Sequence, residues 1–155
     1  KLNGKPVSAT CRDLDERWLE EGRRKALQYD LKNIVFEKGD ALDPKSFANL
    51  PFSPDIVVSS GFYDWIVDDT KIKTSMETIH ALLKREGFFL FTNQCGHVDM
   101  EMVSEIFTDF NSNPLKMTTR SPEKMNSWAE KIGFRVLKTK TDQWGYYSVT
   151  LAVKE

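Results

Sequence analysis

The sequence predicts an α/β fold, a three-layer sandwich built on a mostly parallel sheet with a C-terminal antiparallel hairpin. Three observations predict it. Short apolar runs alternate with amphipathic stretches at helical spacing over most of the chain. Phe88-Phe89-Leu90-Phe91 has no polar side, as expected of a strand in the middle of a sheet covered by helices on both faces. The last two β runs, Phe134–Thr141 and Tyr146–Val153, meet around Asp142-Gln143-Trp144-Gly145, a joint short enough to imply a hairpin.

Taken in order, Val7–Cys11 is a small, apolar run that suits a buried strand. Asp15 reads as a helix N-cap with Glu16 in the first turn, where the helix dipole favours an acid. Trp18, Leu19, Gly22 and Ala26 then mark one buried stripe, and the interleaved charges from Glu16 to Arg24 mark a solvated face. Asn33–Glu37 is the second strand, followed by Gly39-Asp40 and a loop or short helix to Pro51. Asp55–Gly61 is a β-branched strand stopped by glycine, and Ile72, Met76, Ile79 and Leu83 define the next helix. Val103, Ile106, Phe107 and Phe110 predict a further helix, and the stretch from Asn111 to Arg120 is polar and irregular. Ser121-Pro122-Glu123 starts the last helix, whose buried face is Met125, Trp128, Ala129 and Ile132, and Gly133 ends it.

With 155 residues, 40% apolar and 12% aromatic, the chain reads as a single domain over residues 1–155 with a real core. Lys and Arg (22) nearly cancel Asp and Glu (23), which argues against a broad nucleic-acid-binding or lipid-binding face. No apolar run reaches the length of a membrane span, and no signal peptide opens the chain. Cys11 and Cys95 lie far apart without a CxxC pair, so neither a disulfide framework nor a metal site is expected. A reducing cytosol is the simplest compartment. The abrupt start at Lys1-Leu2-Asn3-Gly4 reads like the middle of a longer polypeptide.

In an open parallel sheet, ligands bind beyond the carboxyl ends of the strands. Asp13 and Asp40 end the first two strands, Ser59-Ser60-Gly61 the third and Thr92-Asn93-Gln94-Cys95 the fourth. Two acids at consecutive strand ends suit a nucleoside: one carboxylate can accept both ribose hydroxyls and the other the adenine amine. Each acid alone would equally serve as a turn or cap residue. Small residues at the third strand end allow a ligand close to the backbone.

Arg12-Asp13-Leu14-Asp15, Asn33 through Ala41, Asp55 through Gly61, Leu82 through Leu90 and the terminal hairpin together resemble the class I S-adenosylmethionine-dependent methyltransferases, whose sheet is Rossmann-like. Ser59–Tyr63 and Asp142–Gly145 are similar, more narrowly, to a bacterial group of methyltransferases fused or adjacent to α/β-hydrolase domains. The resemblance implies S-adenosylmethionine as cofactor, a small-molecule or lipid-like acceptor and an enzyme in the full-length form. It implies that Asp13 binds the ribose and that Leu14 packs on the adenine. Asp40 then takes the adenine amine, Ala41 offers its backbone N–H, and Ser59, Ser60 and Gly61 line the methionine end. The family's glycine-rich first strand is missing, since only six residues precede Val7 and no GxGxG occurs. In the family's order that strand lies between the strands ending at Asp13 and Ser60.

Methyl transfer needs alignment of a nucleophile more than acid–base chemistry, because the sulfonium is already a good leaving group. Tyr63, Asp64 and Trp65 stand where this class contacts its acceptor, although aromatics there also suit packing. Tyr63 and His97 are the catalytic candidates, and His97 could serve as a base near neutral pH. His80 reads as a helix flank, Cys11 as a buried small side chain, and Trp144-Gly145-Tyr146-Tyr147 as packing or a pocket wall. Two other classes fit the same residues: an NAD-dependent oxidoreductase domain, since Asp13 could hold an NAD ribose, and a non-catalytic assembly module that has lost its cofactor loop. A hydrolase does not fit, because no G-x-S-x-G elbow is present.

Overall fold

The computed structural model describes residues 6–48, 50–96, 100–108 and 112–155. The chain divides into two compact units, Lys1–Asn49 and Leu50–Glu155.

In the first unit, β1 (Ala9–Asp13) and β2 (Ile34–Lys38) pair in parallel, with Ala9 opposite Ile34 and Asp13 opposite Lys38. The helix α1 (Glu16–Gln28) connects them and starts at the expected cap, the Asp15 carboxylate accepting from the Arg17 N–H. Leu19 and Ala26 are buried as expected. Trp18 is not: it is 61% exposed. One residue turns about 100° around a helix, so Trp18 sits beside the Leu19 stripe rather than on it. The charged face carries surface ion pairs, Arg23–Glu16 and Arg24–Glu21 among them. Cys11 is exposed, against the expectation of burial: among the described residues nothing encloses its side chain on β1.

Gly22 allows α1 to approach β2, since a Cβ at that position would overlap the Phe36 ring. Gly22→Ala is therefore expected to destabilise the protein, by about 1–3 kcal/mol of overpacking, despite the ~1 kcal/mol that alanine gains over glycine in a free helix. Urea denaturation checks this, and a gain in stability would show that Phe36 moves aside without loss.

In the second unit, β3 (Ile56–Ser59), β4 (Phe88–Gln94), β6 (Tyr147–Lys154) and β5 (Phe134–Thr141) form one sheet in the order β3-β4-β6-β5. β3 runs parallel to β4, and the β5–β6 hairpin is antiparallel, with a register shift between Val136 and Lys138. β4 is thus central, as its lack of a polar side predicts. The hairpin turns on Asp142, whose carboxylate accepts from the N–H groups of Trp144, Tyr146 and Tyr147. Gly145 there adopts a φ of 75°, a conformation side chains disfavour.

The helix α2 (Asp69–Leu82) is capped by Asp68, and α4 (Pro122–Ile132) by Ser121, with Gly133 closing α4 in the left-handed region at φ 112°. Both lie on one face of the sheet. Tyr63, Ile72, Met76, Phe89, Phe91, Met125, Ala129, Phe134 and Ala152 form the core between them. The helix expected around Val103 is present as α3 (Met100–Ile106) but ends before Phe107. The chain turns back there, with the Leu115 N–H donating to the Phe107 carbonyl and a bridge between Thr108 and Pro114. Phe110 lies outside the described residues.

Among the described residues β1 pairs only with β2, and β3 pairs only with β4. Each keeps one open edge among these residues.

Candidate functional site

The first unit carries both predicted nucleoside carboxylates at the carboxyl ends of adjacent strands. Asp13 is the last residue of β1, and Asp40 follows β2 by two residues. The Gly39 N–H donates to the Asp13 carbonyl at 3.0 Å, which ties the two strand ends together. Each carboxylate also has a turn role: Asp13 Oδ1 accepts from the Asp15 N–H and Asp40 Oδ1 from the Leu42 N–H, both at 2.8 Å. The other oxygen of each has no hydrogen-bond partner among the described residues, so the turns leave acceptor capacity free. Neighbouring Arg12 is committed elsewhere. Its guanidinium donates to the Ser46 carbonyl at 2.8 Å, stacks over Phe47 at 5.0 Å and pairs with Glu37. Leu14 is 58% exposed beside Asp13, which leaves an apolar surface free for a planar ring. Ala41 is half-buried at the start of the next turn.

A cavity of about 300 Å³ in this unit lies elsewhere, between α1 and β2. It is lined by Arg23, Leu27, Leu31 and Phe36 among others and includes neither Asp13 nor Asp40. The candidate site rests on the two strand ends, where Asp13 and Asp40 stand on adjacent parallel strands; the charged residues of the cleft are Arg23, Asp30 and Lys32.

In the second unit the strand ends of β3 and β4 form a buried polar cluster. Ser59 is half-buried, Ser60 and Gly61 are exposed, and the Gly61 N–H donates to Thr92 Oγ1 at 2.7 Å. Tyr63 is fully buried, its ring edge-on to Phe91. Its hydroxyl lies 3.4 Å from Ser75 Oγ, and burial pushes its pKa up to about 12. These contacts make Tyr63 a core residue in the structure. Trp65 is half exposed.

Asp64 is also buried, and its Oδ1 accepts from the Gln94 N–H at 2.6 Å. Burial raises the pKa of its carboxyl, and the Gln94 hydrogen bond and the Arg120 charge offset part of that rise. The loop is held by Arg120, a residue that no local sequence signal singles out. Arg120 is buried and donates through Nη1 to the Tyr63 carbonyl and through Nη2 to the carbonyls of Ile66 and Val67. Its Nε donates to Asp69 at 2.8 Å. Its own backbone binds the end of β4, the N–H donating to the Gln94 carbonyl and the carbonyl accepting from Asn93 Nδ2. Gln94 is fully buried, yet neither atom of its side-chain amide has a hydrogen-bond partner among the described residues.

The raised pKa of Asp64 predicts a pH dependence. A carboxyl that titrates higher in the folded than in the unfolded state binds its proton more tightly when folded. Stability should therefore fall as pH rises from about 4 through the folded titration point. Asp64→Asn keeps an oxygen for the Gln94 N–H and removes the charge, so its melting temperature should stay flatter over that range. Parallel profiles for the two proteins would show that Asp64 does not titrate in this environment.

Other candidates fall out differently. His97 lies outside the described residues. His80 is half-buried, edge-on to Phe134 at 4.9 Å, and burial lowers its pKa. Cys95 is a free thiol whose pKa burial raises, which makes it a weak nucleophile. Trp144 is mostly exposed rather than packed. The described residues contain no cluster of potential metal ligands and no helix long and apolar enough to cross a membrane.

Parallel strand pairs, a closing antiparallel hairpin and acids at consecutive strand ends agree with the class I S-adenosylmethionine-dependent methyltransferases. The chain belongs to a family described as "Putative methyltransferase", which matches it over residues 1–154. It is 28% identical over 145 residues to the uncharacterized protein YnbC of Escherichia coli K12, covering 92% of this chain and 25% of YnbC. A Bordetella parapertussis structure described as a possible exported protein superposes with a TM-score of 0.77 at 18% identity, over 96% of this chain and 53% of that one. The magnesium protoporphyrin IX methyltransferase of Synechocystis PCC 6803, solved with SAH bound, gives 0.71 at 13% identity, over 96% and 65%. The chain thus spans a quarter of the length of its curated relative and about half that of the Bordetella protein.

Proposed function

We propose that this chain is the methyltransferase portion of an S-adenosylmethionine-dependent enzyme acting on a small-molecule acceptor. The carrying observation is the pair of carboxylates, Asp13 and Asp40, at adjacent parallel strand ends, each with one oxygen free beyond its turn. Asp13 takes the ribose hydroxyls, with Leu14 against the adenine, and Asp40 takes the adenine amine beside the Ala41 N–H. When bound, the cofactor supplies an activated methyl group, and the protein's own work is to align an acceptor atom and exclude water.

In the second unit, Arg120 holds the loop after β3 through the Tyr63, Ile66 and Val67 carbonyls, and Asp64 is buried against the Gln94 N–H. The Synechocystis relative, named for a porphyrin, supports a small molecule as the acceptor class. Two free thiols suit a reducing compartment, and we place the protein in the cytosol. The α/β-hydrolase neighbour expected from the narrower resemblance finds no support among these relatives.

Calorimetry on the full-length polypeptide that carries this chain tests the reading, with S-adenosylhomocysteine and NADH as probes. Saturable binding of S-adenosylhomocysteine and none of NADH is expected. The reverse would make it a dinucleotide-dependent domain, and binding of neither would make it an assembly module.

A further inference from the structure

β4 and β5 both run antiparallel to β6, so the turn of the hairpin stands at the carboxyl end of β4. The Cys95 N–H donates to the Tyr146 carbonyl at 2.7 Å, and a Cβ at Gly96 would overlap the Gly145 carbonyl. The end of β4 therefore lies directly against the turn. Trp144 and Tyr146 fall between β5 and β6, beyond the strand ends rather than on a face of the sheet. Trp144 is 71% exposed, and Tyr146 and Tyr147 are 41% and 43% exposed. None of the three stacks on another ring among the described residues. Their backbone is fixed all the same, because the Asp142 carboxylate holds all three N–H groups. Gln94, the last residue of β4, stands opposite Tyr147 and shares its side of the sheet. Its backbone is committed to Asp64 and Arg120, while its buried amide has no partner among the described residues. An unpaired buried amide costs the folded state a desolvation that an apolar side chain of the same size would not. At a ligand site, binding offsets that cost.

We propose that the hairpin turn and the end of β4 select a flat aromatic acceptor bearing a hydroxyl, its ring against Trp144 and Tyr146 and its hydroxyl on the Gln94 amide. The inference rests on the methyltransferase reading, and the place agrees with it, since ligands of such sheets lie beyond the carboxyl ends of the strands. Trp and Tyr offer broad, flat apolar area, and a turn whose backbone is already fixed loses little further freedom on binding. The amide sets the substituent. Gln94 Oε1 accepts and Nε2 donates, so a hydroxyl, which does both, satisfies either atom, whereas a carboxylate satisfies only Nε2. Tyr147 is the half-exposed neighbour of the amide on that side of the sheet, and rotation of its side chain is the motion expected to open the amide to the ligand.

The test titrates the full-length polypeptide that carries this chain with 2-naphthol and with decahydro-2-naphthol, which keeps the hydroxyl and both rings but is not flat. Calorimetry reads both. 2-Naphthol should bind roughly three- to tenfold more tightly, the gain that contact between aromatic rings allows. Trp144→Ala removes an exposed ring and keeps the N–H that Asp142 holds, so it should weaken 2-naphthol by a similar factor and leave the urea midpoint unchanged. Gln94→Met keeps the volume and removes the amide. It should weaken 2-naphthol and raise the urea midpoint, a gain that an amide needed for folding would not give. Trp144→Ala keeps the test decisive if Gln94→Met fails to fold. Equal affinity for the two alcohols, no binding of either, or unchanged affinity in Trp144→Ala overturns the proposal. So does a folded Gln94→Met that binds 2-naphthol like the wild type. S-adenosylhomocysteine is titrated into the same protein. Its binding without that of 2-naphthol overturns this inference and leaves the methyltransferase reading standing. Binding of 2-naphthol without it overturns that reading, and with it the assignment of the ring as a methyl acceptor.

Discussion

Arg120→Met is expected to lower the stability of the second unit by about 3–5 kcal/mol, the range seen when one partner of a buried charge pair is removed. The size follows from what the guanidinium does. It donates to the carbonyls of Ile66 and Val67 and to that of Tyr63, which also accepts the Ile66 N–H at 3.3 Å, and it neutralises Asp69 at the start of α2. Methionine fills similar volume but donates nothing, so three carbonyls and a carboxylate lose this donor together. Asp69 keeps Lys124 at 2.8 Å, which limits the loss on that side. Arg120→Lys should fall between, since one ammonium cannot reach all four acceptors of a planar fork. Urea denaturation of the three proteins checks the order, and a loss below about 1 kcal/mol for Arg120→Met would show that water replaces the guanidinium.

That residue also marks the limit of what the amino-acid pattern discloses. The helices and strands were legible because their signals are local: Asp15 and Ser121 cap, Pro122 and Gly133 bracket α4, and alternation runs through both strands of the hairpin. Phe88–Phe91 was legible as a central strand because no polar side chain interrupts it. Arg120 was not, since nothing within a few residues of it reveals that its partners lie 51 to 57 positions earlier. Gln94 was equally opaque: its burial depends on long-range packing and not on its neighbours in sequence. Trp18 and Cys11 failed for a related reason. An apolar or small residue at a plausible position is buried only if something packs over it, and neither residue is enclosed here.

The two aspartates occupy the middle ground. Their types and positions pointed to a nucleoside, and the structure puts both at neighbouring strand ends while giving each a turn to hold. Asp13→Asn separates these roles. The asparagine oxygen can still accept from the Asp15 N–H, so the turn survives, but the amide nitrogen that replaces the second oxygen cannot accept from a ribose hydroxyl. The full-length polypeptide carrying Asp13→Asn is expected to melt like the wild type and to bind S-adenosylhomocysteine roughly ten- to a hundredfold more weakly. That is the equivalent of losing hydrogen bonds to a charged acceptor, about 1.5–3 kcal/mol. Asp13→Ala should weaken binding at least as far and lose the turn as well. If Asp13→Asn binds S-adenosylhomocysteine like the wild type while Asp13→Ala does not, Asp13 shapes the loop and the ribose is held elsewhere. If both bind like the wild type, the strand-end carboxylates do not form the nucleoside site at all.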